Sequence, residues 1–237
     1  MSILQRLFFN ICLMFRQFLP KQPCLLCGAW SSNEAWCAAC DAALPYLNAA
    51  HCPVCALPTL NGAVCGKCLS HPPHYTRTVA VYAYAYPLNK LVLDLKHGEK
   101  LPLADSLGKR LAQSVLVRPD CIIAMPLHPT RLRERGFNQS QQLAQVVGKC
   151  MKIPVLPLAC QRIINTPSQA TLPFSKRKKN VRQAFICKAA LAGKHVAVVD
   201  DVMTTGATLD ALALTLLHAG ATEVSAWVVA RTLPHTD

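Results

Sequence analysis

The sequence lacks the patterns of a fibrous, disordered or membrane-spanning chain. Its 10 glycines and 17 prolines among 237 residues show no periodic spacing, which excludes a collagen-like or mucin-like protein. Its hydrophobic content of 52% is too high for a disordered chain. No uninterrupted apolar run reaches the ~18 residues that a membrane span needs, and no small-x-small cleavage site follows residues 1–20. The chain is therefore expected to fold around one sizeable core, with or without a small appendage.

Acidic residues are also scarce, and their scarcity is local. The chain has 12 Asp and Glu against 25 Lys and Arg, a formal net charge of +13. Between Met125 and His195, thirteen basic residues face a single acid, Glu134. Such a field attracts phosphates, whether of a small metabolite or of a nucleic-acid backbone. The three tryptophans do not interleave with the basic run, so no base-stacking platform is visible.

Residues 1–20 predict an amphipathic helix, because their large apolar side chains recur at helical spacing. These side chains are Leu4, Leu7, Phe8, Ile11, Phe15 and Phe18. Packing against the rest of the protein is the favoured interpretation. The alternative is peripheral contact with the inner membrane surface, favoured by Arg6 and Arg16 and the absence of acids.

Nine of the 13 cysteines lie before residue 70, and eight of those nine form four Cys-x-x-Cys pairs. An odd total, with four later cysteines scattered singly, is poor material for a secreted disulfide framework. A reducing compartment, the cytoplasm, is predicted.

The four pairs form two copies of one unit, in which nine residues separate two Cys-x-x-Cys knuckles. Two knuckles supply the four sulfurs that a structural zinc ion prefers. Redox-active pairs would need a thioredoxin-like context, which is missing. Two zinc sites are predicted, with sequential or cross-braced pairing left open. The proposed ligands are Cys24, Cys27, Cys37, Cys40, Cys52, Cys55, Cys65 and Cys68.

After the cysteines, strand and helix patterns alternate. This alternation predicts a mostly parallel sheet with helices on both faces. The predicted strands are 78–86, 121–125, 153–158, 195–199 and 224–230, and the predicted helices are 87–96, 103–117, 138–150 and 208–219. Ligands bind such sheets at the carboxyl ends of the strands.

The most informative strand end is Val198-Val-Asp200-Asp201-Val-Met-Thr204-Thr205-Gly206-Ala-Thr208. Two adjacent carboxylates suit the vicinal hydroxyls of a sugar. The hydroxyl-rich turn and the start of the next helix suit a phosphate. An ordinary capped helix would leave the two repelling carboxylates unexplained.

This segment resembles the 5-phosphoribosyl-1-pyrophosphate (PRPP) binding motif of type I phosphoribosyltransferases. Together with the paired knuckles, Leu95-Lys96-His97-Gly98, the segment from Arg131 to Gln139, the basic run and Ala230-Arg231-Thr232-Leu233, the chain resembles the ComF family of competence and DNA-utilisation proteins, which includes GntX-like members. The resemblance covers about residues 20–233. It does not explain the helix predicted over 1–20, but it implies a double zinc ribbon over 21–72 and a type I phosphoribosyltransferase-like α/β domain over 76–237.

The resemblance also implies roles for individual residues. Asp200 and Asp201 would hold the ribose hydroxyls, and a loop would hold the 5′-phosphate: Met203, Thr204, Thr205, Gly206, Ala207 and Thr208. Pyrophosphate, with Mg²⁺, would meet a second loop and its arginines: Leu127, His128, Arg131, Arg133 and Arg135. The Leu127–His128 bond is a candidate cis peptide. Lys96 and Arg231 are expected near the site, and a mobile lid would carry Lys176, Arg177, Lys178, Lys179 and Arg182.

Two functions are consistent with these residues. One is a PRPP-binding protein, able to transfer phosphoribosyl groups with release of pyrophosphate, that assists uptake or use of single-stranded DNA in natural competence. The other is a non-catalytic adaptor for nucleic acid or a competence partner, in which the PRPP site is a sensor. The acceptor substrate is not readable from the sequence.

Overall fold

The computed structural model describes residues 22–31, 34–47, 50–96, 102–164 and 183–234. The helix expected over 1–20 and the basic lid residues Lys176, Arg177, Lys178, Lys179 and Arg182 lie outside the described residues. Within the described part of the chain, no helix is long and apolar enough to cross a membrane.

The chain divides into two compact units, Met1–Ala43 and Leu44–Asp237. The boundary falls between the two groups of cysteines, so each unit contains four of the eight knuckle cysteines.

The small unit is built from short elements. Strand β1 (Gln22–Pro23) pairs antiparallel with β2 (Trp30–Ser31), and helix α1 covers Ala38–Ala42. Trp36 is buried, and its indole N–H donates to Asp41 Oδ1 at 2.7 Å.

The large unit begins with a 3₁₀ turn (Leu60–Gly62) and continues with α/β elements. Its strands are β3 (Arg77–Ala83), β4 (Cys121–Ala124), β5 (Cys160–Arg162), β6 (Phe185–Cys187), β7 (His195–Met203) and β8 (Glu223–Arg231). Its helices are α2 (Gly66–Ser70), α3 (Leu88–Lys96), α4 (Pro102–Ser114), α5 (Pro129–Arg135), α6 (Gln139–Met151) and α7 (Ala207–His218).

The main sheet has the strand order β3-β8-β7-β4, and all three pairings are parallel. Its central strands β7 and β8 are mostly buried, as expected when helices cover both faces of a parallel sheet. Helices α4 and α6 pack together, α4 against β3 and β8 and α6 against β4 and β7, whereas α7 packs with β6, β7 and β8. Val196 and Val198 share one buried cluster with Leu212 and Leu216 of α7. The predicted parallel α/β architecture is confirmed.

One predicted strand is wrong. Residues 153–158 contribute only an isolated parallel bridge, from Val155 to Ile122. Pro154 and Pro157 lack the N–H groups that a longer ladder requires, so pairing stops after one residue.

Candidate functional site

The eight knuckle cysteines form two groups, within each of which the four sulfurs lie no more than 4.8 Å from one another. One group is Cys24, Cys27, Cys37 and Cys40, and the other is Cys52, Cys55, Cys65 and Cys68. The knuckles therefore pair in sequence, and the cross-braced alternative is wrong. Four thiolates at this spacing fit a structural zinc ion, because they supply a complete tetrahedral set of soft ligands.

The two groups repeat one local design. In the first, Cys24 N–H donates to Ala29 O at 2.7 Å and Gly28 N–H donates to Cys24 O at 2.9 Å. The corresponding bonds in the second join Cys52 to Leu57 and Ala56 to Cys52, at 2.7 and 2.8 Å. The third cysteine of each group, Cys37 or Cys65, precedes a one-turn helix.

Each group contains one thiol that ionises easily. Burial raises the pKa of Cys24, but hydrogen bonds led by the backbone of Cys27 outweigh burial and bring the pKa to about 6. Burial acts the same way on Cys52, where donors led by the backbone of Cys65 bring the pKa to about 7. Because zinc binds thiolates, the lowered pKa of these two cysteines favours the ionised form that zinc requires.

The two carboxylates predicted for the ribose lie near the carboxyl end of β7 and are held by the start of α6. Ser140 Oγ donates to Asp200 Oδ1 at 2.9 Å, and Gln139 Nε2 donates to Asp201 Oδ2 at 3.2 Å. Lys96 Nζ, at the end of α3, lies 3.3 Å from Asp201 Oδ2. Three separate helix and strand ends therefore meet at this acidic pair.

Asp200 is protonated more easily than an ordinary carboxyl group. Burial, followed by the charge of Asp201, raises its pKa to about 7, although the Ser140 hydrogen bond and the charge of Lys96 act in the opposite direction. A carboxyl with this pKa changes its charge near neutral pH, which is a property typical of functional sites.

The segment from Gly136 to Ser140 positions the partners of the acidic pair. Gly136 ends α5 in the left-handed region at φ 75°. Asn138 caps α6, since its Oδ1 accepts from Ser140 N at 3.0 Å, while its Nδ2 donates to Met125 O at 3.0 Å. The cap thus ties α6 to the end of β4. Gln139 belongs to a segment that carries the family resemblance, but the sequence does not predict that Gln139 and Ser140 are partners of the aspartates.

The predicted phosphate loop, Met203 to Thr208, runs from the end of β7 into the first turn of α7. Gly206 has φ 81°, and a Cβ built on it would lie 2.7 Å from both Met203 Cε and Tyr75 Oη. Glycine is needed at this position for backbone conformation and for space. Thr205 Oγ1 accepts from Ala207 N at 3.3 Å, which closes the turn locally.

The predicted pyrophosphate loop follows β4 and leads into α5. Among the described residues the only cis peptide is Tyr86–Pro87, so the expectation of a cis bond at Leu127–His128 is wrong. In its place His128 caps α5, its Nδ1 accepting from Thr130 N at 3.2 Å. A capped helix start satisfies this backbone without the ~3–4 kcal/mol that a non-proline cis bond costs.

Helix α5 separates the three predicted arginines. Arg131 and Arg135 are four residues apart and share a face, whereas Arg133 is turned by about 200° from Arg131 and is exposed. Arg162, on β5, is a basic residue that sequence reasoning missed. Burial lowers its pKa, the charge of Asp200 raises it, and that of Arg131 lowers it, so Arg162 lies within electrostatic range of both.

Arg231, predicted near the site, is only 2% exposed. Its guanidinium lies beneath the loop, donating to Met203 O at 3.0 Å and to Thr204 O.

Comparisons with known proteins identify a family for the cysteine groups and relatives for most of the chain. Residues 14–69 match the double zinc ribbon domain family. The DNA utilization protein YhgH of Escherichia coli (strain K12) is 35% identical over 221 residues, covering 89% of this chain and 97% of that protein. Competence protein F of Haemophilus influenzae is 32% identical, covering 70% of this chain and 78% of that protein.

Among solved structures, the PRPP amidotransferase from B. subtilis is 23% identical with a TM-score of 0.41. That match covers 58% of this chain and 30% of the longer amidotransferase. The extent and identity of the matches to the curated relatives show that this chain belongs to the ComF family of competence and DNA utilization proteins.

Proposed function

We propose that this chain acts in natural competence, in the uptake or use of single-stranded DNA, through a site that binds PRPP with Mg²⁺. The observation that carries the proposal is the acidic pair Asp200 and Asp201, held at the carboxyl end of β7 directly before a glycine-containing turn into α7. The names of its relatives, a DNA utilization protein and competence protein F, suggest the cellular context.

The polar groups at this site fit PRPP. Asp200 and Asp201 would accept hydrogen bonds from the ribose 2′- and 3′-hydroxyls, held in place by Ser140 and Gln139. The segment from Met203 to Thr208 would bind the 5′-phosphate, because the first N–H groups of a helix have no partner within the helix and the helix dipole favours an anion there.

Positive side chains from α3 and α5 would meet the pyrophosphate. Arg131 and Arg135 share one face of α5, and Lys96 is already placed beside Asp201. Bound Mg²⁺ would neutralise charge on the leaving pyrophosphate. An Arg131→Gln variant is expected to weaken PRPP binding about tenfold, and Arg133→Gln to change it little, since Arg133 lies on the other side of the helix.

A transfer reaction at this site needs no side-chain nucleophile. The acceptor would form a bond to the ribose anomeric carbon while the bond from that carbon to pyrophosphate breaks. The protein's part is to orient the ribose and to place positive charge at the departing oxygens. The proposed lid, with Lys176 to Lys179 and Arg182, would cover the reaction or contact a DNA backbone.

Calorimetric titration with PRPP and Mg²⁺ tests whether the site binds PRPP, a claim that both candidate functions share. We expect heat of 1:1 binding in the native chain and none in the double variant Asp200→Ala/Asp201→Ala. Asp105→Asn is the matched control, because Asp105 is an exposed acid on α4 that pairs with Lys109. The absence of heat in the native protein would overturn the proposal.

The second candidate function, a non-catalytic adaptor with a sensing site, shares the acidic pair and is distinguished by turnover. Pyrophosphate release would be measured with candidate bases and with single-stranded oligonucleotides. Release above background rejects the adaptor. Salt-sensitive binding of the oligonucleotide without release favours it.

A further inference from the structure

Arg231 joins the second cysteine group to the proposed phosphate loop. Its Nε donates to the carbonyl oxygen of Cys55 at 2.7 Å. Its Nη1 donates to Met203 O at 3.0 Å, to Thr232 O at 2.9 Å and to Thr204 O. One buried side chain thus holds a knuckle of the cysteine group and the first residues of the loop at the same time.

Two further contacts attach the same knuckle to the main sheet. Thr78, in β3, donates from Oγ1 to Val54 O at 2.6 Å and from its backbone N–H to Pro53 O at 3.0 Å. Both acceptors lie between the first two cysteine ligands of the group. The knuckle is therefore fixed to an edge strand by its two non-ligand residues.

The other side of the loop is supported by the segment that follows the cysteine group. Tyr75 is 4% exposed, and its hydroxyl lies 2.7 Å from where a Cβ on Gly206 would be. The neighbouring His74 bonds Asp210 in the first turn of α7, from its backbone N–H at 2.7 Å and its ring Nδ1 at 2.8 Å. Tyr75 and His74, which follow the last cysteine of the group (Cys68) closely in sequence, thus contact the loop between β7 and α7 and the first turn of α7.

The charges also favour coupling. The four hydrogen bonds of Arg231 described above end on main-chain carbonyls, which carry no full negative charge. Four thiolates around one Zn²⁺ leave a net negative charge close to this buried cation, and a buried cation is stable only with such compensation.

We infer that zinc at the second cysteine group and the phosphate of PRPP at the Met203–Thr208 loop bind cooperatively, with Arg231 as the positioning residue that connects them. This inference rests on the proposed function. Zinc fixes the Cys52–Cys55 knuckle, the knuckle fixes Arg231, and Arg231 holds the carbonyls of Met203 and Thr204 so that the following N–H groups face the anion.

Coupling between two binding sites is reciprocal, so bound PRPP must also stabilise zinc at the second group. The first group provides the control within the same chain. The zinc-loaded full-length protein would be treated with N-ethylmaleimide, with and without saturating PRPP and Mg²⁺, and the alkylated cysteines would be mapped by mass spectrometry over time.

We expect PRPP with Mg²⁺ to slow alkylation of the second group by roughly five- to tenfold, in the usual range of coupling between sites. Alkylation of the first group and of the exposed Cys150 should not change. Equal rates at the second group with and without PRPP, or equal slowing of both groups, would overturn the inference.

An Arg231→Lys variant tests the connecting residue, because lysine keeps the charge but cannot reach both Cys55 and the loop carbonyls. We expect it to retain two zinc ions per chain and to lose the protection by PRPP. Arg77→Lys is the control. Arg77 is a half-exposed residue at the start of β3, paired with Glu223, whereas Arg231 lies beside Ala83 at the end of that strand. Protection that persists in Arg231→Lys would show that Arg231 does not connect the sites; if this variant fails to fold, the native comparison decides alone.

The titration described above separates the two possible failures. A native chain that gives no heat with PRPP and Mg²⁺ overturns the proposed function and this inference together. A chain that binds PRPP but shows no change in alkylation overturns only the inference.

Discussion

Both cysteine groups close their knuckles with the same backbone bonds, yet they are embedded differently. In the first group only Cys24 is buried, whereas in the second Cys52, Cys55 and Cys68 are all buried. The Cys52–Cys55 knuckle of the second group receives hydrogen bonds from Thr78 and Arg231, which lie 24 and 176 positions further along the chain than their acceptors. The same local motif thus serves a small unit in one copy and part of an α/β core in the other.

This difference predicts unequal consequences of losing a ligand. Cys68→Ser should remove one zinc and lower the free energy of unfolding of the large unit by several kcal/mol, because metal binding energy is folding energy and this group is part of the core. PRPP binding should be lost as well. Cys40→Ser should also remove one zinc but leave the large unit's unfolding nearly unchanged. Metal analysis with differential scanning calorimetry would check both, and equal destabilisation by the two variants would remove the distinction.

A smaller difference in stability is expected between alanine substitutions at two glycines with positive φ, Gly206 and Gly28. Gly206→Ala should destabilise the large unit by about 1–3 kcal/mol, because φ is 81° and the new Cβ would meet Tyr75 and Met203. Gly28→Ala meets no atom within 4 Å, and the corresponding position in the second group is already alanine, Ala56, at φ 57°. Denaturant unfolding and PRPP titration of the two variants would measure the contrast. A Gly206→Ala chain as stable as Gly28→Ala would mean that Tyr75 does not limit the loop.

The pH response of the large unit should depend on Asp200. Its folded pKa of about 7 lies above the 3.8 of an ordinary aspartate, so the folded state holds the proton more tightly. The stability from this proton is present below pH ~4 and is lost as pH rises to about 7, whereas PRPP affinity should rise over the upper part of that range as the carboxylate forms. The measurement is the difference between the native chain and Asp200→Asn in free energy of unfolding and in PRPP affinity. It would be made between about pH 5.5 and 8, where zinc stays bound. Parallel curves for the two proteins would contradict the assignment.

The smallest effect is expected at the surface contact between His74 and Asp210. Both side chains are more than a third exposed, so His74→Ala should cost no more than about 1 kcal/mol and weaken PRPP binding only slightly. His71→Ala, three residues earlier and also exposed, is the control. If His74→Ala matched Gly206→Ala in its effect, the exposed contact, and not the buried one through Tyr75, would hold the loop.

Much of the α/β core could be predicted from the sequence because its signals are local. Apolar runs of the right length predicted β4, β7 and β8, and the predicted helices 87–96 and 208–219 agree to within one residue at each end with α3 (Leu88–Lys96) and α7 (Ala207–His218). Helix α5 was missed because its alternating arginines conceal the helical pattern and its cap, His128, is not a usual capping residue. Residues 153–158 were assigned to a strand because their apolar content outweighed two prolines.

The site was predictable only in part, for a different reason. Asp200 and Asp201 stand in a recognisable motif, but their partners Ser140 and Gln139 lie about sixty residues earlier, and no local pattern connects them. The same holds for Arg231, whose contact with Cys55 depends on how the knuckle packs beside β8. Contacts between distant segments follow from packing of the whole sheet, which a single sequence does not display.

A crystal structure of the zinc-loaded chain with PRPP and Mg²⁺ would show directly whether the proposed site binds its ligand. We expect the 5′-phosphate on the backbone N–H groups between Thr204 and Thr208, the ribose hydroxyls on Asp200 and Asp201, and Arg231 still bonded to Cys55. PRPP bound elsewhere, or no PRPP at saturating concentration, would contradict this expectation.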